Sequence, residues 1–142
     1  MIKVAVAGKF DPFPHRGHIE HFREAKKQGD YLIVITHPDN VIGRVKGVCF
    51  TPLEDRIAML KAIRYVDEVV VSIDGNGESA QTLRKIKPNI FCKGGDRTPD
   101  NMPQSELDVC SKIGCEIRYG IQGVIRSNSE FIKQLKKEGW LC

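Results

Sequence analysis

The sequence has no apolar run long enough to cross a bilayer. Its longest, such as Ile33-Val34-Ile35 and Val69-Val70-Val71, fall far short of the roughly 18 residues a span needs. No basic stretch followed by a long apolar core stands at its start, because Met1-Ile2-Lys3-Val4 enters a strand-like run directly. A secretory leader is therefore not expected, and a cytoplasmic location is. Like charges form no long block. Aromatic residues make up 7% of the chain and do not interleave with basic ones, which argues against nucleic acid as partner. CxxC spacing is absent. The five cysteines (Cys49, Cys92, Cys110, Cys115, Cys142) are an odd number, so free or buried thiols are expected rather than a disulfide or metal framework.

What is present is a chain of 142 residues, suited to one domain with one ordinary core. Apolar residues make up 41% and charged residues 28%, with 22 Lys+Arg against 18 Asp+Glu. A net charge of +4 fits small phosphorylated ligands without any need for a polynucleotide.

Four short apolar runs bounded by turn residues, at 2–7, 31–36, 68–73 and 89–93, read as strands, with a weaker fifth at 115–119. They are nearly continuous in Val, Ile and Ala, the pattern of strands covered on both faces. Helical patterns fall between them at 17–28, 52–64, 78–86, 104–113 and 129–138. Thr51-Pro52-Leu53-Glu54 and Ser127-Asn128-Ser129-Glu130 read as capping boxes. The alternation predicts an α/β, doubly wound, parallel five-stranded sheet, with ligands beyond the carboxyl ends of the strands. The loops to inspect are then 8–16, 37–50, 74–77, 94–103 and 120–127.

The first of these, Gly8-Lys9-Phe10-Asp11-Pro12-Phe13-Pro14-His15-Arg16-Gly17-His18, carries most of the chemistry. Gly8 permits a sharp turn at the strand end, and Gly17 lets a ligand approach the helix start closely. His15 and His18, three apart, can share one face. With Lys9, and with the N–H groups and dipole of a helix N-terminus, they make a site for a polyphosphate. A capped helix with two surface histidines is the plainer alternative. His-x-x-His has no Cys or acidic partner at metal-binding spacing, so no metal ligand is assigned to the protein.

This stretch resembles the HxGH signature of the small nucleotidyltransferase superfamily, which includes glycerol-3-phosphate cytidylyltransferase, heptose-1-phosphate adenylyltransferase and archaeal FAD synthetase. Further segments resemble the family in order along nearly the whole chain: Gly29–Val34 its second strand, Arg44-Val45-Lys46-Gly47 its Lys-Gly loop, and Pro52–Arg56 the helix start that follows. Lys93-Gly94-Gly95-Asp96 resembles the KGGD of heptose-phosphate enzymes, and Ser127-Asn128-Ser129 stands where the family has Ser-Thr-Thr. Pro14 is an additional residue in the first motif, and Arg126 lies immediately before the last.

The resemblance implies a Rossmann-like fold and attack by an acceptor oxygen on the α-phosphorus of an NTP, with release of pyrophosphate. His15, His18 and Lys46 would be catalytic. Gly8, Lys9, Phe10, Asp11, Gly17, Lys93, Gly95, Asp96, Arg126, Ser127 and Ser129 would bind the nucleotide. Asp39 and Arg56 would meet the acceptor. Mg²⁺ is the implied cofactor, with Asp11 meeting it or orienting the loop. ATP or CTP would be the donor and a phosphorylated sugar or polyol the acceptor. FMN and a non-catalytic nucleotide-binding module are the alternatives. Homodimers are common in the family.

Overall fold

The computed structural model describes residues 1–95, 97–122 and 128–140. Five parallel strands, β1 (Lys3–Ala7), β2 (Tyr31–Thr36), β3 (Glu68–Val71), β4 (Ile90–Cys92) and β5 (Glu116–Arg118), form one sheet in the order β3-β2-β1-β4-β5. Register runs Ala5 with Ile33 and Phe91, and Val34 with Val69. The chain winds outward from β1 to β3, then returns to the other side of β1 for β4 and β5. The order therefore reverses between β1 and β4, and a crevice opens there at the strands' carboxyl ends.

Among the described residues six helices connect and follow the strands: α1 (Arg16–Lys26), α2 (Asp39–Lys46), α3 (Leu53–Lys61), α4 (Ala80–Ile86), α5 (Gln104–Ile113) and α6 (Asn128–Lys137). Alternate strand residues feed two apolar layers. Val4, Val6, Val34, Ile90 and Cys92 pack with Phe22 and Ala25 of α1 and Leu60 of α3. Ala5, Ile35 and Phe91 pack on the opposite face with Ala80 and Leu83 of α4 and Val109 and Cys110 of α5. Continuous apolar strands follow from this double covering, as expected. Cys49, Cys92, Cys110 and Cys115 are free thiols. No helix among the described residues is long and apolar enough to cross a membrane.

Two local expectations are corrected. Residues 37–50 are not all loop, because α2 occupies Asp39–Lys46. Gly43 and Gly47 obscured it in the sequence. Yet Val41 and Ile42 are buried, and Gly47 takes the left-handed conformation (φ 89°) that ends a helix. Second, Thr51 does not cap α3. Pro52 occupies the N-cap, with no side-chain cap bond. Its extended backbone moves the frame by one residue, and Thr51 is held instead by other partners. The capping box read at Ser127–Glu130 lies partly outside the described residues.

Candidate active site at the carboxyl ends of β1 and β4

The β1–α1 loop is held from below. Gly8 N–H donates to the Ile35 carbonyl (3.0 Å), prolonging the β1–β2 ladder past the strand end. A Cβ at Gly8 would lie 2.7 Å from the Phe10 ring, so glycine is what lets that ring fold back beneath the loop. Phe10 (φ 55°) is buried and meets His18 edge-on at 4.9 Å and Phe22 at 5.5 Å. Phe10 is thus the floor under the histidine.

The histidines cap their own helix. His15 is the N-cap of α1, and its Nδ1 accepts from Gly17 N–H (3.0 Å). His18 Nδ1 accepts from His15 N–H (3.1 Å). The backbone donors expected to face a phosphate are therefore turned onto imidazoles. A nitrogen that accepts carries no proton, so the ring proton of each histidine sits on Nε2, which becomes the donor. The two rings stack with centroids 3.9 Å apart. Burial, then His15, His21 and Lys46 in that order, lower the His18 pKa to about 3. His18 is neutral at pH 7 and donates without charge.

Cations gather above this floor. Lys46, the last residue of α2 rather than a loop residue, is close enough to bear electrostatically on both His18 and Lys9. Lys9 is held below its ordinary value by burial, then by Lys46 and Arg97. Lys93, at the end of β4, lies over the Phe91 ring at 4.8 Å. Burial lowers its pKa too, partly offset by Glu106, while Arg97 and Lys9 lower it further. Cations that depress one another make a site that an anion would relieve.

The carboxylates nearby are committed elsewhere. Asp11 is 1% exposed and accepts from Phe50 N–H (3.0 Å) and Thr51 N–H (2.8 Å). Of its two expected roles, orienting the loop is the one its geometry serves. Asp39 Oδ1 accepts from Arg56 Nη2 at 2.7 Å. Asp74 accepts from Gln81 and Thr82 N–H at the start of α4. Among the described residues no group of three His, Cys, Asp or Glu side chains can hold a metal ion. The donor set thus fits only an ion carried on a nucleotide's phosphates and waters.

Arg56, expected to reach phosphate, is fully buried. Nε donates to the Thr51 carbonyl (3.0 Å), Nη1 to the Lys9 carbonyl (3.1 Å) and Thr36 Oγ1 (2.9 Å), and Nη2 to Asp39. The guanidinium braces the β1 loop, the end of β2, α2 and the loop before α3 against one another. Arg56 is therefore a brace rather than a free ligand, while Asp39, tied to it through Oδ1, keeps a half-exposed side chain.

On the β4 side, Ile121 N–H donates to the Lys93 carbonyl (3.0 Å). Gly95 (φ 61°) turns its N–H onto the Gln122 side chain. A Cβ on Gly94 would approach the Ile121 carbonyl and His21 Nδ1 at 3.1 and 3.2 Å. Phe131 of α6 packs edge-on against Phe13 (5.3 Å), which docks α6 on the first loop with Ser129 exposed in its first turn. Asp96, Arg126 and Ser127 lie outside the described residues.

Three residues were missed from sequence. His21 extends the spacing of His15 and His18 by one more turn and meets the Ile121 carbonyl, so its periodicity was a usable signal. His37 directly follows the apolar β2 run, the position at which ligand groups collect in such sheets. Glu106 carried no signal, since nothing local separates it from an ordinary exposed helix residue.

Comparison with known proteins agrees with this fold. A sequence profile of the cytidylyltransferase-like family matches residues 5–138. The FAD synthase of Pyrococcus abyssi is 42% identical over 100 residues, which cover 70% of this chain and 66% of that protein. The bifunctional protein HldE of Hahella chejuensis is 33% identical over 115 residues, 80% of this chain but 22% of that protein. The lipopolysaccharide core biosynthesis protein of Thermoplasma volcanium superimposes with a TM-score of 0.67 at 29% identity, covering 84% of this chain and 94% of that one. A five-stranded parallel sheet, a histidine-capped first helix and a profile match over nearly the whole chain lead to one assignment: the chain belongs to the cytidylyltransferase-like family.

Proposed function

We propose that this protein is a nucleotidyltransferase that moves an adenylyl group from ATP to a phosphorylated acceptor and releases pyrophosphate. The observation that carries the reading is the His15–His18 pair. Both rings are fixed in the Nε2–H form by backbone N–H groups, and Lys46 and Lys9 stand in electrostatic reach. Family membership supports nucleotidyl transfer in general.

An acceptor phosphate is already ionised, so the reaction needs no strong base. Its oxygen attacks the α-phosphorus in line, the bond to the bridging oxygen of the β-phosphate breaks, and pyrophosphate departs with that electron pair. His15 and His18 donate to the phosphates, and Lys46 and Lys9 offset the charge gathering on them. Mg²⁺ would enter with the triphosphate and neutralise part of its charge. Asp11 sets the 49–51 loop, and Arg56 with Asp39 keeps α2 in place so that Lys46 reaches the histidines. Ser129, Gly95 and the undescribed Asp96, Arg126 and Ser127 are proposed nucleotide contacts.

Likeness to FAD synthases at 42% identity favours ATP over CTP and FMN as acceptor. The KGGD-like turn, together with likeness to HldE and to the lipopolysaccharide core protein, supports a free sugar or polyol phosphate as the second reading. Pyrophosphate release, measured for ATP and CTP against FMN, polyol phosphates and sugar phosphates, decides among them. No release with any pair would overturn the proposal. A homodimer in the cytoplasm is proposed with it, to be checked by sedimentation and by fractionation.

A further inference from the structure

Among the described residues, His37 Nδ1 and Glu106 Oε1 are buried polar atoms without a hydrogen-bond partner. His37, 2% exposed at the carboxyl end of β2, has an Nδ1 that meets no hydrogen-bond partner among the described residues. Glu106, 4% exposed in the first turn of α5, accepts from Ser79 N–H through Oε2 (2.9 Å), while its Oε1 meets no donor among the described residues. Buried polar atoms in native proteins are nearly always bonded, so an orphan calls for an explanation. Both stand where strands give way to the following segment or helix, His37 just after β2 and Glu106 in the first turn of α5.

The charged groups that bear on them indicate what the explanation is. Lys93 bears electrostatically on both His37 and Glu106, and Lys9 bears on both His37 and Lys93. Around His37 the charged groups are Lys9, Asp74, Arg56 and Lys93. Asp74 is occupied by the start of α4 and Arg56 by its four acceptors. What remains is the Lys93 ammonium, over the Phe91 ring on the α4–α5 face of the sheet, in electrostatic reach of a carboxylate, which can only accept, and of an imidazole on the same face, two residues beyond Ile35. A phosphate suits the ammonium. A hydroxyl, which donates and accepts, suits both orphans.

We infer that Lys93, His37 and Glu106 form the acceptor subsite, Lys93 taking the acceptor's phosphate in place of the nucleotide contact that the resemblance implies for it, while His37 Nδ1 and Glu106 Oε1 read hydroxyl groups on the acceptor's carbon chain. The ligand class is a polyhydroxylated alkyl phosphate, either free or carried on a flavin as in FMN. This rests on the nucleotidyltransferase reading and adds to it the residues that select the acceptor. Lys9, in reach of both Lys46 and Lys93, stands where the two substrates meet.

The test is binding to the whole protein without nucleotide, by calorimetry and, for FMN, by quenching of flavin fluorescence. Ribitol phosphate and FMN are compared with butyl phosphate, which lacks hydroxyls, and with riboflavin, which lacks phosphate. The hydroxylated phosphates should bind at least about tenfold tighter than either control. FMN against ribitol phosphate distinguishes the flavin-borne from the free chain. His37→Phe keeps an aromatic ring at the site and removes the orphan, so thermal stability should stay close to that of the parent while affinity for the hydroxylated phosphates falls about tenfold. Glu106→Gln keeps an oxygen for Ser79 N–H and should weaken the same ligands, with butyl phosphate binding and the KM for ATP unchanged. Equal binding of butyl phosphate and ribitol phosphate overturns the inference. So does no binding of any acceptor, or a parallel loss of stability and of all ligands in both variants. Failure of pyrophosphate release, by contrast, would count against the nucleotidyltransferase reading and would leave these binding results to be judged alone.

Discussion

His18 Nδ1 accepts the N–H of His15 at 3.1 Å, and this bond engages one ring nitrogen as part of the helix cap and leaves Nε2 as the donor proposed to meet a phosphate. The two roles separate by substitution. His18→Ala removes the cap and the edge contact with Phe10, so it should lower stability by about 1–3 kcal/mol as well as activity. His18→Asn keeps an acceptor close to the Nδ1 position and loses the Nε2 donor. Its melting temperature should stay near that of the parent while kcat falls about 100-fold or more. Thermal melts and pyrophosphate release on the same samples check both. Equal activity in His18→Asn and the parent would remove the histidine from the chemistry.

Arg56 to Asp39 joins a fully buried guanidinium to a carboxylate that is half exposed. Replacing Arg56 with Met would remove the guanidinium's bonds to the Thr51 and Lys9 carbonyls and to Thr36 Oγ1, leaving the Lys9 carbonyl only the Thr36 hydroxyl as donor among the described residues. A loss of about 3–5 kcal/mol is expected in chemical denaturation. Arg56→Lys should recover little, because an ammonium cannot reach four acceptors in a fork. Asp39→Asn leaves the buried charge uncompensated on one side only and should cost less.

Asp11→Asn keeps one acceptor oxygen where the native carboxylate serves two backbone donors. About 1–3 kcal/mol of local stability should be lost. Hydrogen exchange should locate that loss at the amides of Phe50 and Thr51 before it appears elsewhere.

Stability should fall with acid in a defined window. His18 and His37 are held at about 3 and about 4, against an ordinary 6.5, chiefly by burial. Below pH 6.5 the unfolded chain takes up protons that the folded chain refuses. Stability is thus full above 6.5 and declines as pH drops toward 4, with a slope exceeding one proton. Denaturant titrations from pH 8 to 4, in steps, measure it. His37→Phe should reduce the slope by about one proton.

Pyrophosphate with Mg²⁺ should raise the melting temperature, because it relieves cations that depress one another at Lys9 and Lys93. At 100 times its Kd the gain is about 2.7 kcal/mol. The shift should shrink in Lys46→Ala and diminish with added salt.

How far the site could be read from sequence differs residue by residue. The placement of Lys9 in the loop before α1, and of His15 and His18 at its start, was legible because glycine turn and helix start lie within eleven consecutive residues, 8–18. Lys46 was legible by resemblance, though its helix was hidden by two glycines whose destabilisation is outweighed by burying Val41 and Ile42. Arg56 was misplaced, because an arginine on an exposed-looking helix turn gives no sign that four acceptors from distant segments meet behind it.

By itself the sequence determined the strands, the alternation that makes a parallel sheet, and the motif at the first helix. Those are local: they depend on side-chain periodicity and on backbone freedom within a few residues. The order β3-β2-β1-β4-β5, the choice of Nε2–H on both histidines, the enclosure of Arg56 and the burial of His37 Nδ1 and Glu106 Oε1 without a partner among the described residues were decided only in the tertiary structure. They arise between segments tens of residues apart, and whether a polar atom is satisfied depends on which neighbours packing brings within about 3 Å.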